Sequence, residues 1–236
     1  MTIRADPGTK DKYIQVIIPA FNESESLPIV LRSVTSFVTG IPVRVLVVDD
    51  GSTDGTPRLA QQLGAQVISH TDNRGQGAAL MTGFTAATQR NCFAVVSLDA
   101  DGQHNPSEIE NLLLPIINGE ADFVIGSRFL GESSMDRMER LLGIRFLSVI
   151  VSFAIGQRIT DPTNGFRAIR RKCLPLFRLR EERFSAPELI VQARKQGLRI
   201  SEVPVTVRNR HAGQTKKPRI RYLMGLLKAL LRAIIG

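Results

Sequence analysis

The 236-residue chain has no tryptophan, only two tyrosines and two cysteines, and three histidines. Cys92 and Cys173 are far apart and lack CxxC spacing, and His70, His104 and His211 are scattered, so a zinc site or disulfide framework is not expected. Cys92 lies in an apolar stretch and reads as a buried thiol in a reducing compartment. Long hydrophobic runs are missing as well. The most apolar stretch, Phe146 to Gly156, is eleven residues long between Arg145 and Arg158, whereas a bilayer-spanning helix takes about 20. The opening MTIRADPGTKDK has no apolar h-region, so no secretory signal is expected either. No fixed period recurs, which excludes repeat, collagen-like and coiled-coil architectures.

What remains is an ordinary globular composition, 43% hydrophobic and 22% charged, with enough apolar side chain to offset the ordering entropy. The length suits one large α/β domain or two small ones. Net charge is +9, unevenly divided. Residues 1–136 hold nine Lys/Arg against sixteen Asp/Glu, a net of −7; residues 137–236 hold 22 against six, a net of +16. No acidic residue follows Glu202. An acidic half suits a metal site, and a basic half suits phosphates, nucleic acid or an anionic membrane. No aromatic stacking platform accompanies the cations, so nucleic acid is not expected as a partner.

β-branched runs predict strands at Tyr13–Ile18, Pro42–Val48, Gln66–Ser69, Cys92–Leu98 and Asp122–Gly126. Between them lie predicted helices from Ser24 to about Val38, Thr56–Leu63, Gly77–Gln89 and Pro106–Ile117. This alternation is that of a doubly wound, mostly parallel sheet flanked by helices. Later come an apolar helix Met138–Ile155, a loop Asp161–Gly165, a helix Glu188–Gln196, a strand Leu198–Val207 and a helix Arg219–Ile235. Ligands of such sheets sit beyond the C-terminal strand ends. Asn22-Glu23, Asp49-Asp50, Asp99-Ala100-Asp101 and Ser127-Arg128 all fall there.

Asp99 and Asp101, one residue apart at a strand end, can offer hard oxygens to one Mg²⁺ or Mn²⁺, with Gln103 adding a neutral oxygen. Capping of the helix near Pro106 is the competing explanation. Asp54 and Thr56 read as helix caps, which leaves the adjacent Asp49-Asp50 unexplained; one of that pair could accept from a nucleobase N–H edge. Asn73-Arg74-Gly75-Gln76-Gly77 fits a phosphate loop or a glycine-rich turn equally.

Five strings occur in order: Ile18-Pro19-Ala20-Phe21-Asn22-Glu23, Val47 through Thr56 (VVDDGSTDGT), Asn73 through Ala79 (NRGQGAA), Asp99-Ala100-Asp101-Gly102-Gln103-His104, and Gly126-Ser127-Arg128-Phe129. Together they resemble glycosyltransferase family 2. Asp161 through Arg167 (DPTNGFR), Val203-Pro204-Val205 and Arg210 through Lys216 (RHAGQTK) look like its dolichol-phosphate mannosyltransferase and polyprenyl-phosphate branch. Phe21, Gln76 and Thr215 depart from the usual Tyr, Lys and Ser.

The resemblance implies a GT-A type α/β fold over residues 1–218 and inverting transfer of one hexose, mannose or glucose, from a nucleotide-diphosphate sugar to a polyprenyl or dolichyl phosphate. Missing tryptophan removes the Gln-x-x-Arg-Trp motif of the processive synthases. Transfer to a glycan, glycerolipid or protein hydroxyl is the alternative, with Asp161 as its candidate base. By resemblance Pro19, Phe21, Glu23, Val48 and Asp50 line the base pocket. Asp99, Ala100, Asp101 and Gln103 form the Mg²⁺/Mn²⁺ and diphosphate site, and Arg128, Arg210 and Lys216 hold phosphates. Arg137 and Arg140 are candidate lipid-phosphate contacts. GDP-mannose is the expected donor ahead of UDP-glucose. In residues 219–236, apolar positions from Ile220 to Ile235 recur at i+3/i+4 opposite Arg221, Lys228 and Arg232. This cationic amphipathic helix would bind an anionic membrane surface, and packing on the body or in a dimer is its alternative. The expected location is peripheral, on the cytoplasmic face of a membrane.

Overall fold

In the computed structural model the described residues are 12–132, 138–179, 185–209 and 225, with 138–140 described by backbone alone. Eight strands form one sheet: β1 Tyr13–Ala20, β2 Phe37–Val38, β3 Ile41–Asp49, β4 Gln66–Ser69, β5 Cys92–Ser97, β6 Phe123–Ser127, β7 Arg167–Arg170 and β8 Ile200–Pro204. Among the described residues six α-helices of more than one turn accompany them: α1 Leu27–Ser33, α2 Thr56–Gln62, α3 Gln76–Thr88, α4 Ile109–Ile117, α5 Met138–Ile155 and α6 Ser185–Lys195. The strand order from β3 is β3-β1-β5-β7-β6-β8, with β4 and the two-residue β2 both on the outer edge of β3.

β1, β5 and the second half of β3 are mostly apolar on both faces because both faces are covered. Along β1, Ile17 points into a cluster with Phe84, Val95 and Phe123, under α3, α5 and α6. Its neighbours Ile14, Val16 and Ile18 point into the opposite cluster with Ala60, Leu112 and Leu113, under α1, α2 and α4. The period of two along the strand thus fills two cores at once.

Two elements differ from the sequence pattern. The helix from Ser24 to Val38 stops at Ser33, and Val34 is already extended. Ser33-Val34-Thr35-Ser36 is a run of weak helix formers. Thr39 (φ 48°) and Gly40 (φ 79°) then make a two-residue turn, the kind whose positive φ values match the twist of a hairpin, and Phe37–Val38 pairs antiparallel with Ile41–Pro42. The second difference is β7, a strand the sequence pattern did not predict. It runs antiparallel between β5 and β6, with Ser97 and Ile125 both paired to Arg167. Being reversed, it starts where β5 and β6 end, so the Asp161–Phe166 loop hangs over the same rim as Asp99 and Arg128.

Both cysteines are free and buried, Cys92 as expected. Burial pushes the Cys92 thiol up to about 11 and raises that of Cys173. The boundary at 218/219 and, apart from residue 225, the helix expected over 219–236 lie outside the described residues. Within those residues no helix is long and apolar enough to cross a membrane.

α3 meets β1 at Gly83, where a Cβ would stand 2.6 Å from Ile17 Cγ2. Gly83→Ala should therefore destabilise the fold by about 1–3 kcal/mol despite alanine's better helix propensity. Urea unfolding should show a lower midpoint at unchanged slope.

Candidate active site

The rim is built from paired loops. After β1 the chain turns at Asn22, whose φ of 54° a short polar side chain tolerates. The next residues are stitched to the loop after β3. Asn22 N donates to Ser52 Oγ (2.9 Å), Thr53 N to Asn22 Oδ1 (2.8 Å) and Glu23 N to Thr56 Oγ1 (2.9 Å). Asp54 closes the seam, accepting from Ser24 N (3.1 Å), Thr56 N (3.1 Å) and Thr56 Oγ1 (2.5 Å). The Glu23 carboxylate accepts from Ser26 Oγ at 2.5 Å. Pro19, Phe21 and Glu23 are half-buried along this wall.

Two base-pocket expectations change here. Val48 is fully buried in the core with Leu46 and Leu80, so its side chain lines no pocket. Asp50 is buried and engaged within the protein. Its Oδ1 accepts from Arg74 N (3.0 Å) and lies 2.7 Å from His70 Nδ1, and its Oδ2 accepts from Gly75 N (2.7 Å). His70 Nε2 in turn lies 2.9 Å from Thr82 Oγ1 on α3. Asp50 thereby holds the 70–75 loop against α3; sequence reasoning had not connected it with His70. Its neighbour Asp49 accepts one long hydrogen bond, from Ser52 N at 3.3 Å.

At the centre stands Asp99. Gln76, the first residue of α3, donates from Nε2 to Asp99 Oδ1 at 2.8 Å. On another side the Asp161–Phe166 loop passes so close that a Cβ on Gly165 would lie 2.7 Å from Asp99 Oδ1. His104, stacked on Phe166 at 5.2 Å between ring centroids, has its Nδ1 4.0 Å from Asp99 Oδ2. The Asp99 side chain nevertheless keeps 29% of its surface open. Asp101 is buried and accepts from Gln103 N at 3.0 Å. Ala100 is packed in the core, so its side chain contacts no ligand. Gln76, discounted in the sequence because it replaces a charged residue, is a direct partner of the acidic motif. Gly165 was visible in the DPTNGFR string, but its role appears only once β7 is reversed.

Among the described residues no three His, Cys, Asp or Glu side chains converge as a metal cage. Two hard carboxylates, one of them partly open, fit an oxygen-preferring divalent ion that draws its other ligands from substrate phosphates and water. Gln103 is turned to a neighbouring segment. Its Nε2 donates to Arg208 O (3.0 Å), and its carbonyl accepts from Arg208 N (2.8 Å). Thr206 is tied to Glu108 through N (2.8 Å) and Oγ1 (2.7 Å). These bonds bring the chain to the acidic motif immediately before Arg210. Arg210, Lys216 and Arg137, and the side chain of Arg140, lie outside the described residues.

Arg128, expected to hold phosphates, is bonded within the protein. It is buried, and its Nε donates to the fully buried Asp161 at 2.5 Å. Asp161 also accepts from Arg128 N (3.3 Å) and Thr163 Oγ1 (3.1 Å). Behind it, Glu202 on β8 accepts from Asp161 N (2.9 Å), Thr160 N (2.8 Å) and Thr160 Oγ1 (3.0 Å). A carboxylate stripped of water requires a counter-charge and hydrogen bonds. Arg128 supplies both, as the mate of Asp161 in the wall of the site.

The seam at Asp54 titrates. Burial alone would raise its carboxyl, but hydrogen bonds from Thr56 and Ser24 outweigh this and pull it from 3.8 down to about 2. A depressed carboxyl contributes stability that is present above the unfolded value and lost as pH falls through the folded one. The chain should therefore lose stability between about pH 4 and pH 2 through this group. Asp54→Asn should flatten that part of the denaturation curve measured against pH, relative to the parent.

Comparison with known proteins agrees with this arrangement. Residues 15–175 match the model of glycosyl transferase family 2. The polyprenol monophosphomannose synthase of Mycolicibacterium smegmatis is 34% identical over 225 residues, covering 89% of this chain and 84% of that protein. The dolichyl-phosphate hexose transferase of Haloferax volcanii is 33% identical over 204 residues and 86% of each. The UDP-N-acetylglucosamine–dolichyl-phosphate N-acetylglucosaminyltransferase of Methanococcus voltae is 31% identical over 217 residues, covering 83% and 85%. Among solved structures, glucosyl-3-phosphoglycerate synthase from Mycobacterium tuberculosis, in complex with Mn²⁺, UDP and glucosyl-3-phosphoglycerate, superposes with a TM-score of 0.76. It is 23% identical and covers 96% of this chain and 81% of that one. That likeness bears out the expected GT-A fold, and the family match and the relatives together show that the chain belongs to glycosyl transferase family 2.

Proposed function

We propose that the chain transfers a single hexose, with inversion, from a nucleotide-diphosphate sugar to the phosphate of a polyprenyl or dolichyl lipid at the cytoplasmic face of a membrane. The observation that carries this reading is the state of Asp161. A hydroxyl acceptor needs a general base within reach of its proton. The carboxylate that the sequence offered for that task is fully buried and engaged by Arg128 and Thr163. A lipid phosphate needs no such base, because its oxygen is already anionic near neutral pH. The relatives named above for polyprenol, dolichyl-phosphate and hexose transfer point the same way.

In this reading Asp99 and Asp101, with Gln103 Oε1, hold Mg²⁺ or Mn²⁺. Bound there, the ion neutralises charge on the departing nucleoside diphosphate. Gln76 fixes the orientation of Asp99 without adding a competing cation. Pro19, Phe21 and Glu23 flank the nucleoside, and the stitched 21–24 and 52–56 loops keep that wall rigid. Arg210 and Lys216, which follow the segment tied to Gln103, cover the phosphates and stabilise charge as the anomeric bond breaks. Arg137 and Arg140 receive the lipid phosphate. Donors named for the relatives differ in sugar. We take GDP-mannose as the first donor here and UDP-glucose as the second.

The test incubates the purified chain with labelled GDP-mannose, UDP-glucose or UDP-N-acetylglucosamine and a short-chain polyprenyl phosphate. The expected product is one labelled sugar per lipid, released by mild acid. Transfer only to free hydroxyl acceptors would overturn the reading. Asp99→Ala and Asp101→Ala should each abolish divalent-dependent transfer while circular dichroism stays unchanged; activity persisting in excess chelator would remove the metal. Arg210→Ala and Lys216→Ala should lower turnover by about two to three decades, equivalent to about 2–4 kcal/mol each. Affinity for free nucleotide should change less, as measured by titration calorimetry.

A further inference from the structure

His104 ends the DADGQH string. Only 4% of its side chain is exposed. Its backbone pairs with Val207 in an antiparallel bridge, and its ring stacks on Phe166, 5.2 Å between centroids and inclined by 22°. Backbone and ring are both fixed, the first to the segment that leads toward Arg210 and the second to the loop behind Asp99. Among the described residues, three buried side-chain nitrogens lack a hydrogen-bond partner: His104 Nδ1, Asn164 Nδ2 and Arg170 Nε. Arg170 Nε still lies 3.4 Å from Asp122 Oδ1 at the opposite end of the sheet. Asn164 bonds within its own loop, its Oδ1 accepting from Phe166 N at 3.0 Å. His104 Nδ1 faces across the site, 4.0 Å from Asp99 Oδ2.

A buried donor without an acceptor costs free energy that a hydrogen bond would recover. With its proton on Nδ1 the imidazole is such a donor, and an acceptor is close. Asp99 Oδ1 holds Gln76 Nε2 at 2.8 Å, while Oδ2 accepts from none of the described residues. The gap to His104 exceeds a hydrogen bond by about 1 Å. The Cβ–Cγ torsion of an aspartate is broad, so a small turn of the carboxylate closes it, and the long side chain of Gln76 can follow. Gly165 leaves room for that turn. A Cβ there would stand 2.8 Å from Asp99 Oδ2 and 3.0 Å from its Cγ, in the path of the carboxylate.

We propose that His104 is a positioning residue for the divalent ion, whose Nδ1–H closes on Asp99 Oδ2 and, opposite Gln76 on Oδ1, sets the carboxylate in a single orientation. Held through both oxygens from inside the protein, Asp99 keeps its outward lone pairs aimed at the ion. The ring against Phe166 keeps Nδ1 at the right height, and the donor does the positioning. The proposal rests on the reading of Asp99 and Asp101 as metal ligands.

Two variants separate the donor from the ring. His104→Phe keeps an aromatic ring against Phe166 and removes the donor. His104→Asn removes the ring and puts an amide N–H near the place of Nδ1. The full chain is titrated with Mn²⁺, alone and beside GDP or UDP, and the free ion is read from its electron paramagnetic resonance signal. His104→Phe should bind Mn²⁺ roughly 10- to 100-fold more weakly than the parent, whereas His104→Asn should stay close to it, with cooperative thermal unfolding in both. The Mn²⁺ concentration for half-maximal transfer should rise in His104→Phe by the same factor, and excess Mn²⁺ should restore its turnover. The reverse order, with His104→Phe close to the parent and His104→Asn weak, would assign His104 to packing and overturn the proposal. So would two variants that both match the parent or are both equally weak. A parent that binds no Mn²⁺ in any arm would remove the metal from Asp99 and Asp101, and the proposal with it. Affinities as expected, but no transfer to lipid phosphate at saturating Mn²⁺ in any of the three proteins, would instead count against the proposed reaction.

Discussion

The guanidinium of Arg167 ties together the parts that make this rim a site. It is buried at the first position of β7 and donates to three backbone carbonyls, those of Asn164 (2.6 Å), Ala186 (2.7 Å) and Pro162 (2.9 Å). Two of these shape the loop that leads into the strand, and the third lies at the start of α6. A buried carbonyl without a donor is costly, so the loop has little freedom while Arg167 is in place. The consequence is felt at Gly165, held so near Asp99 that a side chain there would displace the carboxylate. Ser97 Oγ, at the end of β5, adds a 2.6 Å bond to the Gly165 carbonyl. The acidic motif and the loop behind it are thus fixed as one unit.

Around that unit the polar groups divide into two kinds. Asp50, Asp54, Asp161 and Glu202 are engaged by backbone N–H groups, hydroxyls, His70 or Arg128, and they serve as ties between loops. Asp99 has one amide donor and an open side. Burial and pairing separate the two kinds, since a carboxylate held by three donors has most of its lone pairs taken up within the protein. Of the acidic residues in the first half, it is therefore Asp99 that presents charge outward at the centre of the rim, and Gln76 and Gly165 both serve to place it.

The cations complement this through position. Arg128 and Arg167 are drawn into the wall, and Arg170 is held at the opposite end of the sheet, each bonded to a carboxylate or to backbone carbonyls. Arg145 and Arg158 stay in solvent. Cations of one composition class thus do two jobs, and their burial decides which.

Much of this was legible in the sequence. The alternation of β-branched runs with helices determined the two-faced sheet, because a strand covered on both sides is mostly apolar, and Ile14, Val16, Ile17 and Ile18 are, with the buried Gln15 satisfied by the Arg44 carbonyl. The ordered strings from Ile18 to Phe129 determined the family and the rim on which its chemistry falls. The sequence could not place β7. Arg-Ala-Ile-Arg has no strand pattern of its own, and its pairing comes wholly from Ala94 to Ser97 and Phe123 to Ile125 on either side. Nor could it tell Asp50 from Asp99 or Arg128 from a free clamp, since a side chain's charge is the same in either role. Only the tertiary structure decided that, by bringing His70, Gly75 and Asp161 within hydrogen-bond distance of some charged groups and leaving others to the solvent.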